Sequence, residues 1–275
     1  TQGLASLLIP AIYERLRAGK PESFDHVHHI VEATKRAFLI RDAHVTDPRF
    51  ASAAPADFLT PERIAAEAEA IDTARAAPWP APEPGGKDTI WMGAVDADGR
   101  AVSFIQSIYW EYGSGVVSPA TGVLWQNRGI SFSLDPSAVN PLQPGRKPFH
   151  TLNPALARFK DGRVMTYGTK GGEGQPQTQA AIFSRYAMHG QPLQQAVSAP
   201  RWLLGRTWGE ESTSLKIEDG FREDVIVRLR DAGHDVEVTE RFAQIMGHAG
   251  AIIRHPDGTL EGASDPRSDG MVAAL

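Results

Sequence analysis

The stretch that decides the fold is Asp88-Thr89-Ile90-Trp91-Met92-Gly93-Ala94-Val95-Asp96. Its residues alternate in character with a period of two, which predicts a β-strand with two different faces. Asp96-Ala97-Asp98-Gly99 then supplies turn residues, and Ala101–Tyr109 alternates again as a second strand. The sequence therefore predicts a β-hairpin whose first strand opens on a threonine.

A Pro/Gly-rich segment comes directly before this hairpin. Residues 76–88 read Ala-Ala-Pro-Trp-Pro-Ala-Pro-Glu-Pro-Gly-Gly-Lys-Asp. Such a composition forms neither a helix nor a sheet ladder, so we expect an extended and accessible linker. Gly85 and Gly86 leave the backbone free to bend, and we predict that the chain is cut between Asp88 and Thr89.

Cleavage there would make Thr89 an N-terminal nucleophile. Its hydroxyl would attack an amide, and its new α-amine, with an ordinary pKa of about 7.7–8.0, would act as the general base. One residue then supplies both nucleophile and base, as in the threonine variants of the catalytic triad. The alternative is an ordinary strand residue, because β-branched side chains favour strands.

Several sequence blocks resemble the γ-glutamyltransferase family of N-terminal-nucleophile hydrolases. Their order and spacing fit that family over nearly the whole chain. The blocks are Val27-His28, Lys35-Arg36-Ala37-Phe38, Asp88-Thr89, Gly113-Ser-Gly-Val-Val117, Pro148-Phe-His-Thr-Leu-Asn-Pro154, Tyr167-Gly-Thr-Lys-Gly-Gly172, Ala199-Pro-Arg201 and Gly262-Ala-Ser-Asp-Pro-Arg267.

This resemblance implies an α+β fold, the αββα sandwich of the N-terminal-nucleophile hydrolases. Residues 1–75 would be the helical C-terminal part of a large subunit, 76–88 the linker that ends at the self-cleavage site, and 89–275 the small catalytic subunit. The chain begins at Thr1 without Met, so we expect part of the large subunit to be missing. That remainder would be the partner in an αβ heterodimer.

The resemblance also implies roles for individual residues. Thr89 matches the nucleophile, and Ser107 matches a second hydroxyl that hydrogen-bonds to it. Gly171 and Gly172 match the oxyanion-hole glycines, since glycine amides at a helix N-terminus favour negative charge. The positions that would contact the substrate are Tyr109, Arg128, Ser131, His150, Thr151 and Lys170.

Two of these positions argue against a γ-glutamyl substrate. Ser131 stands where the family resemblance implies an acidic residue for the substrate's α-ammonium, and Arg128 places a cation near that spot. We therefore predict a small amide that carries a carboxylate but no α-amine, held by Arg128 and by Lys170. The blocks 125–128 and 171–179 look most like the branch that includes oxamate amidohydrolase, and oxamate has this structure.

Two alternatives use the same chemistry on other substrates: a true γ-glutamyltransferase or glutathione hydrolase, and a glutaryl-type cephalosporin acylase. A third alternative belongs to another class, an uncleaved fragment that only binds. The family relation does not by itself separate them, because function resides in the site and not in the fold.

Composition excludes several other kinds of partner. The net charge of −5 and the pI near 6.0 argue against nucleic acid. No apolar run approaches the ~18 residues of a membrane span, so we expect no membrane partner. Without cysteine there are no disulfides and no thiolate metal sites, while the compartment stays open.

A cluster of histidines raises the possibility of a metal site. His26, His28 and His29 would point in different directions around a helix, so at most two could share an ion. We expect no carboxylate to be placed where it could complete a metal-ligand shell. We therefore predict no metal and no cofactor.

Coarser predictions concern the remaining elements. We expect a helix with Leu39 on its inner side before Asp47, and a mostly exposed helix over residues 60–74. Residues 122–127 read as a strand, and residues 131–146 as a long loop. Residues 155–167 read as a second hairpin, followed by a glycine turn and a helix over 176–190.

Overall fold

A computed structural model describes residues 1–79, 88–205 and 212–274. The predicted linker residues 80–87, with Gly85 and Gly86, lie outside the described residues. The helices are α1 (Gly3–Leu16), α2 (Phe24–His44), α3 (Pro61–Glu69), α4 (Gln175–Phe183), α5 (Leu193–Ser198) and α6 (Glu223–Asp231). The strands are β1 (Asp88–Val95), β2 (Ala101–Tyr109), β3 (Ala155–Arg158), β4 (Val164–Thr169), β5 (Trp202–Leu204), β6 (Leu215–Glu218), β7 (Val236–Thr239), β8 (Ala249–Arg254) and β9 (Leu260–Ser264).

Helices α1 and α2 pack against each other. Ser23 caps α2 by accepting a hydrogen bond from the His26 amide at 3.3 Å. Pro10 lies inside α1, among residues that are buried against α2 and α4. Within the described part of the chain, every helix is too short or too polar to cross a lipid bilayer.

The strands form three sheets. β1 and β2 make a two-stranded antiparallel ribbon, as the hairpin prediction requires. β3, β4, β8 and β9 form an antiparallel sheet in the order β3-β4-β8-β9, which includes both hairpins of the second half. A third, small sheet has the order β5-β6-β7, with β6 and β7 parallel.

The four-stranded sheet separates two layers. On one face, Met165, Tyr167 and Ile253 pack against Ile182 of α4 and Leu193 of α5. On the other face, the alternate residues of β4 and β8 meet the inner face of the β1-β2 ribbon. Strand alternation thus gives the sheet one side for the helices and one for the strand that carries Thr89.

One side chain joins the ribbon to the sheet closely. The Trp91 indole lies over three glycines, on β1, β4 and β8, and its Nε1–H donates to Ser103 Oγ at 3.0 Å. A Cβ at Gly93 or Gly250 would lie 2.8 or 2.6 Å from the ring, and one at Gly168 would lie closer still. The glycines are therefore required by the close approach of the indole.

Several local predictions are wrong. Residues 122–127 form no strand beyond an isolated Val117–Leu124 bridge, because Gly113 and Gly122 take positive φ values of 53° and 69° and fold the segment into a tight loop. Helix α3 ends at Glu69, since the Asp72 carboxylate binds the amides of the turn that follows. Leu39 is 47% exposed because it shares the outer face of α2 with Arg36, three residues earlier.

Candidate active site

Thr89 sits at an irregularity in the ribbon. Asp88 pairs with Tyr109 and Ile90 with Gln106, so the register shifts at Thr89. Such bulges redirect a side chain, and Thr89 is only 8% exposed. Its hydroxyl donates to Ser107 Oγ at 3.0 Å, and Ser107 Oγ also accepts the Tyr109 amide at 2.9 Å. The structure thus brings together the two hydroxyls that were predicted to meet.

Gly171 and Gly172 follow β4 and open the short 3₁₀ turn that leads into α4. Their φ values of 124° and 48° lie in the region that favours glycine. Both residues are buried, and in the described part of the chain neither amide donates a hydrogen bond. Their orientation is stabilised by the Gln2 side chain, which donates to the Gly172 carbonyl at 2.6 Å. Two unused amides at a helix start suit an oxyanion.

Arg128, Tyr109 and Thr151 form a second group beside Ser107. The Arg128 guanidinium lies 3.9 Å above the Tyr109 ring, and its Nη2 donates to Thr151 Oγ1 at 2.8 Å. Arg128 is 5% exposed, and burial lowers its pKa to about 10, so it remains charged at neutral pH. Its Nη1 is buried without a partner, and none of the salt bridges among the described residues includes Arg128. A guanidinium in this state is suited to bind an anionic ligand.

Ser131 and His150 border that group. Ser131 lines a cavity of about 390 Å³ together with Tyr109, Arg41 and Glu173. His150 precedes Thr151, and burial lowers its pKa to about 4, so it is neutral near pH 7. Its Nδ1 is buried without a partner in the described chain. Tyr109 has a φ of +83°, an unusual value for a bulky residue at the junction of these groups.

Lys170 lies on the other side of the nucleophile. It lines a cavity of about 590 Å³ that includes Thr89, His248 and residues of β1, β8 and β9. The Lys170 amide donates to the His248 carbonyl at 3.1 Å. Arg128 does not line this cavity, so the two cations predicted to share one carboxylate lie in different surroundings. Sequence analysis missed His248, because nothing in its neighbourhood along the chain signals a site.

The histidines of α2 do not enter this site. His26 bonds to Ser184 Oγ at 3.0 Å and His29 to the Leu16 carbonyl at 2.9 Å. The statement that no carboxylate lies near His28 was wrong, because Glu32 follows one helical turn later, and together with His234 they place possible ligand atoms within 4.8 Å of one another. These side chains hydrogen-bond within the chain, with His28 Nδ1 at 2.8 Å from His234 Nε2 and Lys35 Nζ donating to Glu32 Oε1 at 2.6 Å.

Comparison with known proteins identifies the family of this chain. The sequence model described as gamma-glutamyltranspeptidase matches residues 1–275. The chain is 60% identical to the oxamate amidohydrolase proenzyme of Klebsiella pneumoniae over 99% of its own length and 52% of that protein. It is 45% identical to the glutathione hydrolase-like YwrD proenzyme of Bacillus subtilis, over 100% of the chain and 52% of that protein.

Among solved structures, the chain is similar to the cephalosporin acylase from Bacillus halodurans, with a TM-score of 0.83 and 32% identity over 100% of this chain and 49% of that one. The predicted α+β fold of the N-terminal-nucleophile hydrolase type is confirmed by this likeness. The chain spans about half the length of the curated relatives it matches.

Proposed function

Because the chain belongs to the gamma-glutamyltranspeptidase family, as its motifs predicted, we propose that the full-length protein is a self-processing amidohydrolase with Thr89 as nucleophile. The observation that carries this proposal is the partly buried hydrogen bond from the hydroxyl of Thr89, the second residue of β1, to Ser107 Oγ at 3.0 Å. The name proenzyme on the relatives supports processing before activity.

Maturation would use the same hydroxyl. Thr89 Oγ attacks the Asp88 carbonyl, the peptide bond shifts from nitrogen to oxygen, and water then hydrolyses the ester. The Asp88 carboxyl terminus and the Thr89 α-amine are the products. Residues 89–275 would then belong to the small subunit and residues 1–75 to the end of the large one, joined before cleavage by residues 76–88.

Turnover would follow the same order of bonds. The free α-amine takes the Thr89 hydroxyl proton while Oγ bonds to the substrate carbonyl carbon. The amides of Gly171 and Gly172 would stabilise the oxyanion. The C–N bond then breaks, the departing nitrogen takes the proton, and water hydrolyses the acyl-threonine ester to restore the enzyme.

The substrate we propose is a small amide that bears a carboxylate, with oxamate as the reference compound. The buried, unpaired Nη1 of Arg128 supports a carboxylate, because a guanidinium binds such a group strongly when shielded from water. Ser131, which cannot carry a negative charge, argues against a substrate with an α-ammonium group. The 60% identity to an oxamate amidohydrolase proenzyme supports the same choice.

The nucleophile is tested on the full-length parent protein and its Thr89→Ala variant. Intact mass and N-terminal sequencing should show that the parent splits before Thr89 and that the variant stays whole. If the parent also stays whole, the α-amine never forms, and the alternative of a non-catalytic binding module is supported instead.

The substrate is tested on the processed enzyme with oxamate, γ-glutamyl amides and glutaryl amides. We expect oxamate to be hydrolysed with the highest kcat/KM. Preference for the glutaryl amide would favour an acylase, the candidate supported by the likeness to the cephalosporin acylase. Preference for γ-glutamyl amides would favour a glutathione hydrolase and would contradict the reading of Arg128 and Ser131.

A further inference from the structure

His248 stands on one of two sides of the nucleophile. Thr89 is flanked on the β2 side by Ser107 and, beyond it, by the Tyr109–Arg128 pair. On the β8 side, Thr89 shares its cavity of about 590 Å³ with Lys170 and His248. A substrate whose carbonyl carbon meets Thr89 Oγ therefore has different protein groups on its acyl side and on its leaving-group side.

The backbone that carries His248 is fixed on both sides. Arg201 Nη1 donates to the carbonyls of Met246 and Gly247 at 3.2 and 3.1 Å. The His248 carbonyl accepts the Lys170 amide at 3.1 Å. The next amide, of Ala249, donates to the buried Asp265 carboxylate at 2.6 Å. The backbone of His248 is therefore fixed beside the Thr89 cavity, which keeps the imidazole close to where a ligand would bind.

The His248 imidazole has unused hydrogen-bonding capacity. Its Nε2 is closed to solvent and has no partner in the described part of the chain. Burial, together with the charge of Lys170, lowers the pKa of His248, which favours the neutral ring. A neutral imidazole offers one nitrogen as a hydrogen-bond acceptor. Because an unpaired buried nitrogen destabilises the protein, we expect the imidazole to turn its Nε2 toward a hydrogen-bond donor that enters the Thr89 cavity.

The chemistry of an amide substrate indicates which of its groups binds His248 Nε2. The carboxylate on the acyl side matches the Arg128 cation. The leaving nitrogen bears N–H donors, which match a neutral acceptor and not a cation. We propose that His248 Nε2 accepts a hydrogen bond from the leaving nitrogen of the amide, so that His248 selects amides over other acyl donors. This inference rests on the proposed function of Thr89.

The test compares two substrates with the same acyl group. The full-length protein, processed at Thr89, is assayed with oxamate and with the methyl monoester of oxalate, which has no leaving-group N–H. In His248→Ala, kcat/KM for oxamate should fall about tenfold, the effect of one hydrogen bond in a dry site, while the ester should change less than twofold. His248→Gln, which restores an acceptor, should recover part of the amide rate.

His255→Ala is the matched control. His255 follows the other end of β8, pairs with Glu261 at 3.0 Å and is not among the residues that line the Thr89 cavity. It should leave both substrates and the self-cleavage unchanged. Equal losses for amide and ester in both His248 variants would overturn the proposal, because they would assign His248 to the acyl side or to folding. Unchanged amide kinetics in His248→Ala would overturn it as well.

Failure of the proposed function would look different. The parent protein would then remain uncleaved at Thr89 or would hydrolyse neither substrate, before any His248 variant is compared. A parent that splits and hydrolyses oxamate, with variants that do not discriminate between the two substrates, refutes the role of His248 alone.

Discussion

Two groups of buried polar side chains in this chain differ in how completely their hydrogen bonds are made. In the bonded cluster, which comprises His28, Glu32, Lys35 and His234, every member has a partner. In the open site around Thr89, three polar atoms lack a partner among the described residues: Arg128 Nη1, His150 Nδ1 and His248 Nε2. Since buried polar groups are normally paired, the comparison distinguishes a cluster that is complete within the chain from a site that, as we propose, a ligand completes.

The contacts of the bonded cluster show this saturation. His28 Nδ1 lies 2.8 Å from His234 Nε2, and His28 Nε2 lies 2.9 Å from the Asp72 carbonyl. Lys35 donates to Glu32 Oε1 and to the Ala77 carbonyl, both at 2.6 Å, and the Ala77 amide donates to Glu32 Oε2 at 3.1 Å. Both ring nitrogens of His28 and both carboxylate oxygens of Glu32 therefore already have a hydrogen-bonding partner.

The largest effect is expected from a substitution that breaks the bonded cluster. Glu32→Ala leaves the ammonium of Lys35 buried without a counter-charge, which should lower the free energy of unfolding by about 3–5 kcal/mol. Urea unfolding of the full-length protein measures this. Asp98→Ala, which removes an exposed ion pair with Arg100, should leave the midpoint unchanged. A Glu32→Ala variant of normal stability would contradict the distinction between the two groups.

The second prediction concerns a substitution that removes Arg128, the cation of the open site. In Arg128→Met, kcat/KM for oxamate should fall about 10- to 100-fold, because one charge-assisted contact with the carboxylate is lost. The free energy of unfolding should change little, because removal of a buried cation with an unpartnered Nη1 offsets the lost hydrogen bond to Thr151. Arg158→Met, at an exposed position of β3, is the control. A large loss of stability without a kinetic effect would assign Arg128 to the fold.

The third prediction concerns the pH dependence of the bonded cluster. Burial, with the charge of Lys35, lowers the pKa of His234 to about 3 in the folded chain, whereas the unfolded value is near 6.5. Stability from the neutral ring is therefore present above about pH 6.5 and is lost as the pH falls toward the folded pKa. At pH 5 the loss should be about 2 kcal/mol.

His234→Gln should remove that part of the pH dependence. Urea unfolding at pH 7 and pH 5 gives the difference for the parent and for the variant, and the gap between the two differences isolates His234. An identical pH dependence in both proteins would show that His234 is protonated freely in the folded state.

The smallest expected effect comes from closing the open site. Ser131 lies three residues after Arg128 in a 3₁₀ turn, and residues at that spacing are neighbours. In Ser131→Asp the new carboxylate should pair with Arg128 and lower kcat/KM for oxamate about 3- to 10-fold. Ser131→Asn, with the same shape and no charge, should have less effect. Equal effects of both variants would exclude pairing with Arg128.

Sequence reasoning succeeded where the information is local. The ribbon was predictable because the alternation around Thr89 and the turn at Asp96 lie within a short stretch. The pairing of Thr89 with Ser107 followed from the family resemblance, and the structure brings the two within hydrogen-bond distance. The exposed Leu39 was missed because an apolar residue at the edge of a helical stripe reads like a core residue.

Contacts between residues far apart in the sequence, and the shortest strands, could be found only from the three-dimensional structure. His28 and His234 are 206 positions apart in the sequence, so their contact left no local pattern, whereas the i, i+4 spacing of His28 and Glu32 was readable from the sequence. His248 enters the Thr89 cavity only because β8 pairs with β4 and so brings its start beside Lys170. The short strands β5 and β6, of three and four residues, are too brief for periodicity to reveal them.

The indole of Trp91 has a consequence for how this site can change over evolutionary time. Its contacts with Gly93, Gly168 and Gly250 join the β1-β2 ribbon to the four-stranded sheet. A slip of the ribbon by one residue, about 3.3 Å, would therefore force the ring into the backbone of these glycines. The position of Thr89 is thereby fixed by Trp91, two residues later in β1. The apolar contacts of Trp91 take no part in the proposed reaction. If Arg128, Ser131 and His248 set the specificity, as we propose, they can be exchanged for other side chains without displacing Thr89.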